Sequence, residues 1–380
     1  MQSATAYSTL NRYAVVLDRV RTRALAWSAR TTGLRAFVVD KQARIAGLSI
    51  GHASLALAAT LLCPSLLLVL GPVLLGVPHV ASDIRYLVLR PTLTRGFGGF
   101  VALFSALLIG IRLVELGNLG NPAFARVEIA LVIAWVLGAL WWTRSRWSLL
   151  RLGVAAGAVT LGAAALTEPA LARLIFAHAH NAIGLCVWYA LFRPRRAWGY
   201  LPLAWIALAT AVVYLAGGSI PERLGWPEWF DLHIQAASQW LAPGLAPAEQ
   251  RGLVLSYVFL QSVHYAVWLV FIPQDSLKSP GSPTFCMSLR SAWRDFRPFG
   301  VALIALGMLS VLVAACFDPL ATSAVYLFVT PFHGYLELVV LACWLAERRS
   351  FSEPHALAEL RALPMVREPQ ASSAEKLLQA

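Results

Sequence analysis

Residues 1–44 carry apolar positions with a helical period: Tyr13, Val16, Leu17, Val20, Leu25 and Trp27 recur every three or four residues. Arg12, Arg19, Arg23 and Arg30 interleave with them. That spacing predicts a basic amphipathic helix suited to an anionic membrane surface, although a solvated helical tail has the same pattern. From Ile45 the pattern changes to long apolar runs. Crossing the hydrocarbon core takes about 20 residues of helix. Runs bounded by Pro, Gly and charge predict ten crossings, at about 46–66, 70–90, 97–116, 125–142, 149–167, 170–192, 200–217, 252–272, 299–317 and 320–346. Pro64, Gly71, Pro72, Gly76 and Pro78 interrupt the first two, which also fits a re-entrant pair. The predicted fold class is an all-α, polytopic transmembrane helical bundle over 45–347, between a basic segment at 1–44 and a polar tail at 348–380.

The longest connection between crossings, 218–251, holds Trp226, Trp229 and Trp240 with few basic residues. Trp favours the membrane interface, so a short interfacial helix is predicted near 228–241, as a lid or as a packed loop. The connection 273–298 and the tail read as polar and mobile. No internal repeat marks two inverted halves.

Charge then orients the chain. With the N-terminus on the cytoplasmic side, 26 Lys and Arg fall in cytoplasmic segments and five on the opposite face. This is the positive-inside pattern, and it needs an even number of crossings. Both termini are expected to be cytoplasmic, in a bacterial inner (cytoplasmic) membrane. No short basic start leads into an apolar run and a cleavage site, so no cleaved signal peptide is expected. The net charge of +12 is thereby topological and implies no nucleic-acid partner.

Composition narrows the class further. Hydrophobic residues make up 58% and charged residues 13%, against about 25% charged in soluble domains. Too little charge remains to coat a soluble protein of 380 residues, which excludes a soluble enzyme and a disordered chain. The five Cys show no CxxC spacing and read as small apolar residues.

Against this apolar background the ionisable residues stand out, because such groups are costly inside a bilayer and tend to be functional. His79, His178, His180, His264 and His333 lie in the second, sixth, eighth and tenth crossings, all running inward. Counted from the outer ends they fall at depths of roughly 12 to 20 Å, one layer near the midplane. His79 with Asp83, and His333 with Glu337, are four residues apart and share a helix face. An imidazole with a carboxylate one turn away supplies two metal ligands, or one ligand and its orienting partner. The same pair serves a proton relay equally well. In FAHAHNAIG, His178 and His180 point to opposite sides, so His180 is the candidate ligand and Asn181 its neighbour. His178 then lines the next interface. Gln261 sits one turn before His264, and Tyr265 and Trp268 follow as candidates for lining a substrate pocket. A lone intramembrane His is as often an interhelical hydrogen-bonding residue. Arg112 and Glu115 are placed to pair at the outer end of the third crossing, and Glu128 opens the fourth; all three read as structural. The motifs HxxxH, HxxHH, HExxH, GxSxG and GxxxxGK[ST] are absent.

The stretch Gly76-Val77-Pro78-His79, followed by Asp83, resembles the Brp/Blh family of membrane β-carotene dioxygenases. Those polytopic helical proteins carry G-x-P-H-G-A-x-D early in the chain. Val80 stands here where the family has Gly. The family also has two His four residues apart late in the chain, where this sequence has His264 and His333 in separate helices. The resemblance covers eight residues and implies His79 as a metal ligand, Asp83 as its orienter, iron as the metal and oxidative cleavage of a carotenoid.

Together these readings predict a membrane oxygenase acting on a lipophilic substrate such as a carotenoid or other isoprenoid. His79, His180, His264 and His333 would bind iron, with copper or zinc as chemically acceptable substitutes. Asp83, Glu337, His178, Asn181 and Gln261 would orient the ligands or replace one. A proton-coupled transporter using the same His and carboxylates is the first alternative. A non-catalytic membrane scaffold is the second.

Overall fold

The computed structural model describes residues 2–30, 40–90, 95–118, 121–142, 148–192, 194, 196–217, 219, 228–276 and 283–346. The tail at 348–380 and much of 218–227 lie outside the described residues. No strand occurs among the described residues. Helix α1 covers Gln2–Arg30. Ten further helices are long and apolar enough to cross a membrane. In chain order they are α2 (Lys41–Leu62), α3 (Pro64–Leu89), α4 (Gly96–Leu116), α5 (Pro122–Trp142), α6 (Leu149–Thr167), α7 (Pro169–Ala190) and α8 (Ala197–Ala216), then α10 (Pro247–Asp275), α11 (Phe285–Phe317) and α12 (Pro319–Ala346). A shorter helix, α9 (Glu228–Leu241), precedes α10 and occupies the stretch predicted for the interfacial helix. The chain is an integral, multi-pass membrane protein whose surroundings are the lipid bilayer. The stretch at 46–90 forms two full helices, α2 and α3, and not a re-entrant pair.

One sequence device sets the turns on one face. Each connection leading into α3, α5, α7, α10 and α12 ends with a residue followed by Pro: Cys63-Pro64, Asn121-Pro122, Glu168-Pro169, Ala246-Pro247 and Asp318-Pro319. Proline disfavours helical geometry in the residue before it, yet fits the first turn of the helix it starts. Cys63, Glu168 and Asp318 accordingly leave the helical region, with φ of −149°, −130° and −149°. Each is the single residue between two consecutive helices. Ten crossings place these five turns on the same face, opposite the basic connections.

Packing divides the bundle into a buried centre and a lipid-facing rim. Helix α10 is central: 72% of its apolar window is buried, against none of that of α11. It packs against α2, α7, α8 and α9, while α12 packs against α5, α6 and α7. Trp135, Trp188, Trp268, Phe259 and Phe271 fill the core. Three backbone irregularities lie close to the intramembrane His. Helix α3 has π-helical turns at Gly71–Leu75 and Arg85–Leu89, flanking His79, and α10 has one at Val267–Phe271, just after His264. Single π turns widen a helix and recur at functional sites. Helix α12 breaks at Thr330-Pro331, immediately before His333.

The connection at 273–298, predicted as a polar loop, is helical from Phe285 onward. Thr284 Oγ1 accepts from the Met287 N–H (3.0 Å), and the Asp18 carboxylate of α1 accepts from Phe285 N–H (2.7 Å) and Cys286 N–H (3.0 Å). Together they cap three of the orphan donors that begin any helix. Tyr7 packs on Trp293 at 5.3 Å, so α1 docks on this helix and leaves Tyr13, Val20 and Trp27 exposed. Asp295 accepts from Arg85 (2.7 Å) and Arg90 (3.1 Å) of α3. The helix then breaks at Arg297, whose φ of 59° is a region non-glycine residues rarely occupy, before Pro298 begins the crossing.

Candidate metal centre

Four of the imidazoles singled out in the sequence meet in the bundle interior. The ring centroids of His79 and His333 are 4.8 Å apart, those of His180 and His264 5.2 Å, and those of His180 and His333 5.5 Å. His79 and His264 are 5.6 Å apart and His264 and His333 6.1 Å. They come from α3, α7, α10 and α12. Ligating atoms of His79, Asp83, His264 and His333 all lie within 4.8 Å of one another, and all four residues are buried. This group could hold a metal ion. His180 stands beside it, outside that tightest set.

Local helix chemistry fixes three of the rings. His79 Nδ1 lies 3.2 Å from the Leu75 carbonyl, and His180 Nδ1 lies 2.8 Å from the Ala177 carbonyl. His333 Nδ1 meets the Thr330 carbonyl, where the Pro331 break leaves room for both that ring and the His333 backbone N–H. A carbonyl only accepts, so in each ring Nδ1 carries the proton and donates it. The lone pair is then on Nε2. His79 Nε2 and His333 Nε2 face each other at 3.2 Å in this buried site. Two neutral rings of that tautomer present lone pair to lone pair, an arrangement a bound cation would relieve. Ligand nitrogens about 2.0–2.1 Å from a metal stand about 2.9 Å apart in octahedral and about 3.4 Å apart in tetrahedral geometry, and 3.2 Å lies between them.

The carboxylates add a second argument. Asp83 is fully buried, and neither of its oxygens has a hydrogen-bond partner. A bare carboxylate in an apolar interior is costly by several kcal/mol unless a cation compensates it or a proton neutralises it. Glu337 lies 3.7 Å from His264 Nε2 and accepts from the Trp268 indole N–H at 3.0 Å. Both His264 ring nitrogens lack a hydrogen-bond partner. That donor set, imidazoles with carboxylate, fits a transition metal.

Glycines make the space. A Cβ at Gly184 of α7 would stand 2.6 Å from His264 Nδ1, so the His264 ring occupies room that only glycine leaves. A Cβ at Gly76 would meet the Tyr326 ring at 2.4 Å, in the same turn that carries His79.

A cavity of about 650 Å³ reaches this cluster. His79, His180, His333, Tyr265 and Tyr326 line its inner part, and Pro122, Pro169, Trp240 and Pro243 its outer part, at the proline-turn face. Tyr265 lies against His79 with ring centroids 4.5 Å apart, and Gln261 Nε2 donates to its hydroxyl at 3.0 Å. Trp268, predicted to line a substrate pocket, is not among the cavity's lining residues. It is buried behind the cluster, and its indole N–H is committed to Glu337. His178 turns away, with Nε2 2.9 Å from the Leu241 carbonyl, which ties α7 to the end of α9. Asn181 is buried, with neither amide atom hydrogen-bonded.

The expected pair of Arg112 with Glu115 is present at 3.9 Å, and each also has a closer partner on another helix. Arg112 Nη2 donates to Glu128 at 2.8 Å, and Arg173 Nη1 donates to Glu115 at 2.6 Å. Arg173 also pairs with Glu128, and the Tyr335 hydroxyl donates to Glu128 at 2.7 Å. Arg173, Tyr335, Tyr326 and Gly184 carried no sequence signal beyond their types. Their roles depend on neighbours distant in the chain.

No family model, no curated protein and no solved structure matches this chain, so the buried histidine and carboxylate cluster is what its function is read from.

Proposed function

We propose that the protein is a membrane metalloenzyme, an iron-dependent oxygenase of lipophilic substrates such as isoprenoids. The observation that carries the reading is the 3.2 Å approach of His79 Nε2 and His333 Nε2, with the unpartnered Asp83 carboxylate in the same group. His79, His264, His333 and Asp83 would hold the metal, and His180 faces the same group from α7. Two or more His with one carboxylate is a donor set typical of non-haem iron oxygenases. Iron at this position would supply activation of O2. The protein's part is to bind and exclude: the cavity gives an apolar molecule a route to the cluster, and Tyr265 and Tyr326 form its inner wall. The Nδ1 anchors hold the rings of His79, His180 and His333 in place before any ion arrives, and Gly184 leaves the room that the His264 ring fills. The local resemblance to membrane β-carotene dioxygenases at Gly76–Asp83 points to the same chemistry.

Elemental analysis of the purified protein, prepared anaerobically with iron, tests the reading. One transition-metal ion per chain, lost in His264→Ala and His333→Ala, is the expected result. A folded, metal-free wild-type protein would refute it and leave the His and carboxylates as a proton relay. Oxygen consumption that depends on an added isoprenoid tests the activity itself.

A further inference from the structure

The Arg–Glu cluster shares the cavity with the His cluster, because Arg112, Glu115 and Arg173 line the same wall space as His79, His180 and His333. On α7, Arg173 lies seven residues from His180, which is about 10 Å along the helix at 1.5 Å per residue. Two features of this cluster are chemically specific. Its two guanidinium groups are balanced by two carboxylates, so it has no net charge. Yet Arg112 Nε and Arg173 Nε are buried donors with no hydrogen-bond partner. Arg112 is only 8% exposed, and its guanidinium lies over the Phe328 ring at 4.8 Å. An unmade bond from a buried charged donor is costly, and an acceptor supplied by a ligand would recover it.

The acceptor must also suit the charge balance. A carboxylate or phosphate would leave a net negative charge in a low-dielectric site, which is unfavourable without a further cation. A pure hydrocarbon offers no acceptor. We propose that the cavity binds an apolar chain ending in one neutral oxygen, a hydroxyl or carbonyl, and that Arg112 and Arg173 read that oxygen through their Nε–H groups. Leu116 and Leu174 supply apolar wall beside it. This inference rests on the oxygenase reading for the reaction and adds the substrate class: an uncharged, oxygen-bearing isoprenoid, held by its polar end with its chain directed at the His cluster.

The test is equilibrium binding of tritiated phytol to the protein in nanodiscs, with empty discs subtracted. Phytol, phytane and phytanic acid then compete, three probes sharing one branched C20 chain. A site built around a hydrogen bond rejects analogues that lack it. Phytol is expected to compete at least tenfold better than phytane or phytanic acid. Arg112→Lys keeps the charge and removes the Nε donor, so it is expected to weaken phytol about tenfold and leave phytane unchanged. Ala177→Phe fills the cavity next to the His cluster and is expected to abolish binding of all three. Equal competition by phytane, tightest binding of phytanic acid, or unchanged phytol affinity in Arg112→Lys would each overturn the proposal. The wild-type series decides the matter even if a variant misfolds. Metal content measured on the same samples separates the two readings: selective phytol binding without metal refutes only the oxygenase, and metal without selectivity refutes only the oxygen-reading cluster.

Discussion

His79 Nε2 of α3 and His333 Nε2 of α12 stand 3.2 Å apart, although 254 residues separate them in the chain. Each ring is held from behind by a carbonyl of its own helix, so neither can turn its proton toward the other. A cation between them removes the conflict. Metal removal should therefore destabilise the fold. Metal held at about 100 times its dissociation constant contributes about 2.7 kcal/mol. Thermal unfolding in detergent, with and without a membrane-permeant chelator, reads this as a downward shift in the wild type. His333→Ala should show no chelator effect.

Gly184 gives His264 its place. Gly184→Ala puts a Cβ about where the His264 ring now sits, 2.6 Å from Nδ1. The ring must move, and displaced ligand geometry costs about 10- to 100-fold in metal affinity. A competitive metal titration measures it. Gly153→Ala, where nothing lies within 4 Å of the added Cβ, serves as the control and should bind as the wild type does.

Trp268 anchors Glu337 from behind. Trp268→Phe keeps most of the packing volume and removes the N–H that donates to Glu337 at 3.0 Å. A buried acceptor left without its donor costs about 1–3 kcal/mol. The loss should appear in denaturant unfolding. Trp268→Phe combined with Glu337→Leu should recover part of it, because removing both partners removes the unmet bond. Unaltered stability in the single variant would contradict the anchoring role.

Asp18 makes the docking of α1 sensitive to acid. Partial burial raises its pKa, but the N–H groups of Cys286 and Phe285 and the nearby Arg21 outweigh this and hold it below the ordinary 3.8. A lowered folded-state pKa means stabilisation that is complete above the ordinary carboxylate value and lost as pH falls through the lowered one. Hydrogen exchange at Phe285 and Cys286 should therefore be protected at neutral pH and accelerate only under strongly acid conditions. Asp18→Ala should show the fast exchange at every pH.

Much of this architecture was legible in the sequence, and the reasons are local. An apolar run of about 20 residues has few alternatives to a membrane-spanning helix. Proline and charge mark where each run stops. The helix at 228–241 was readable from a Trp-rich connection with few basic residues. The helix starting at Phe285 was not, because its beginning depends on Asp18, more than 260 residues earlier in the chain. His79, His180, His264 and His333 stood out through the cost of placing an imidazole in a bilayer. The same signal did not separate Trp268 from Tyr265, since both are aromatic residues near His264, and only packing turns one toward the cavity and the other toward Glu337.

The sequence by itself determined what is set by solvent and by short-range chain chemistry. That includes the helical class, the number of apolar helices long enough to cross and the shortlist of ionisable groups in the interior. Tertiary structure alone decided which of those groups share a volume. A helix presents its side chains over a full turn every 3.6 residues, and its rotation about its own axis is set by neighbours and not by its own residues. The convergence of four helices on His79 and His333, the glycine that admits His264, and the exchange of partners among Arg112, Glu115, Glu128 and Arg173 all follow from those rotations.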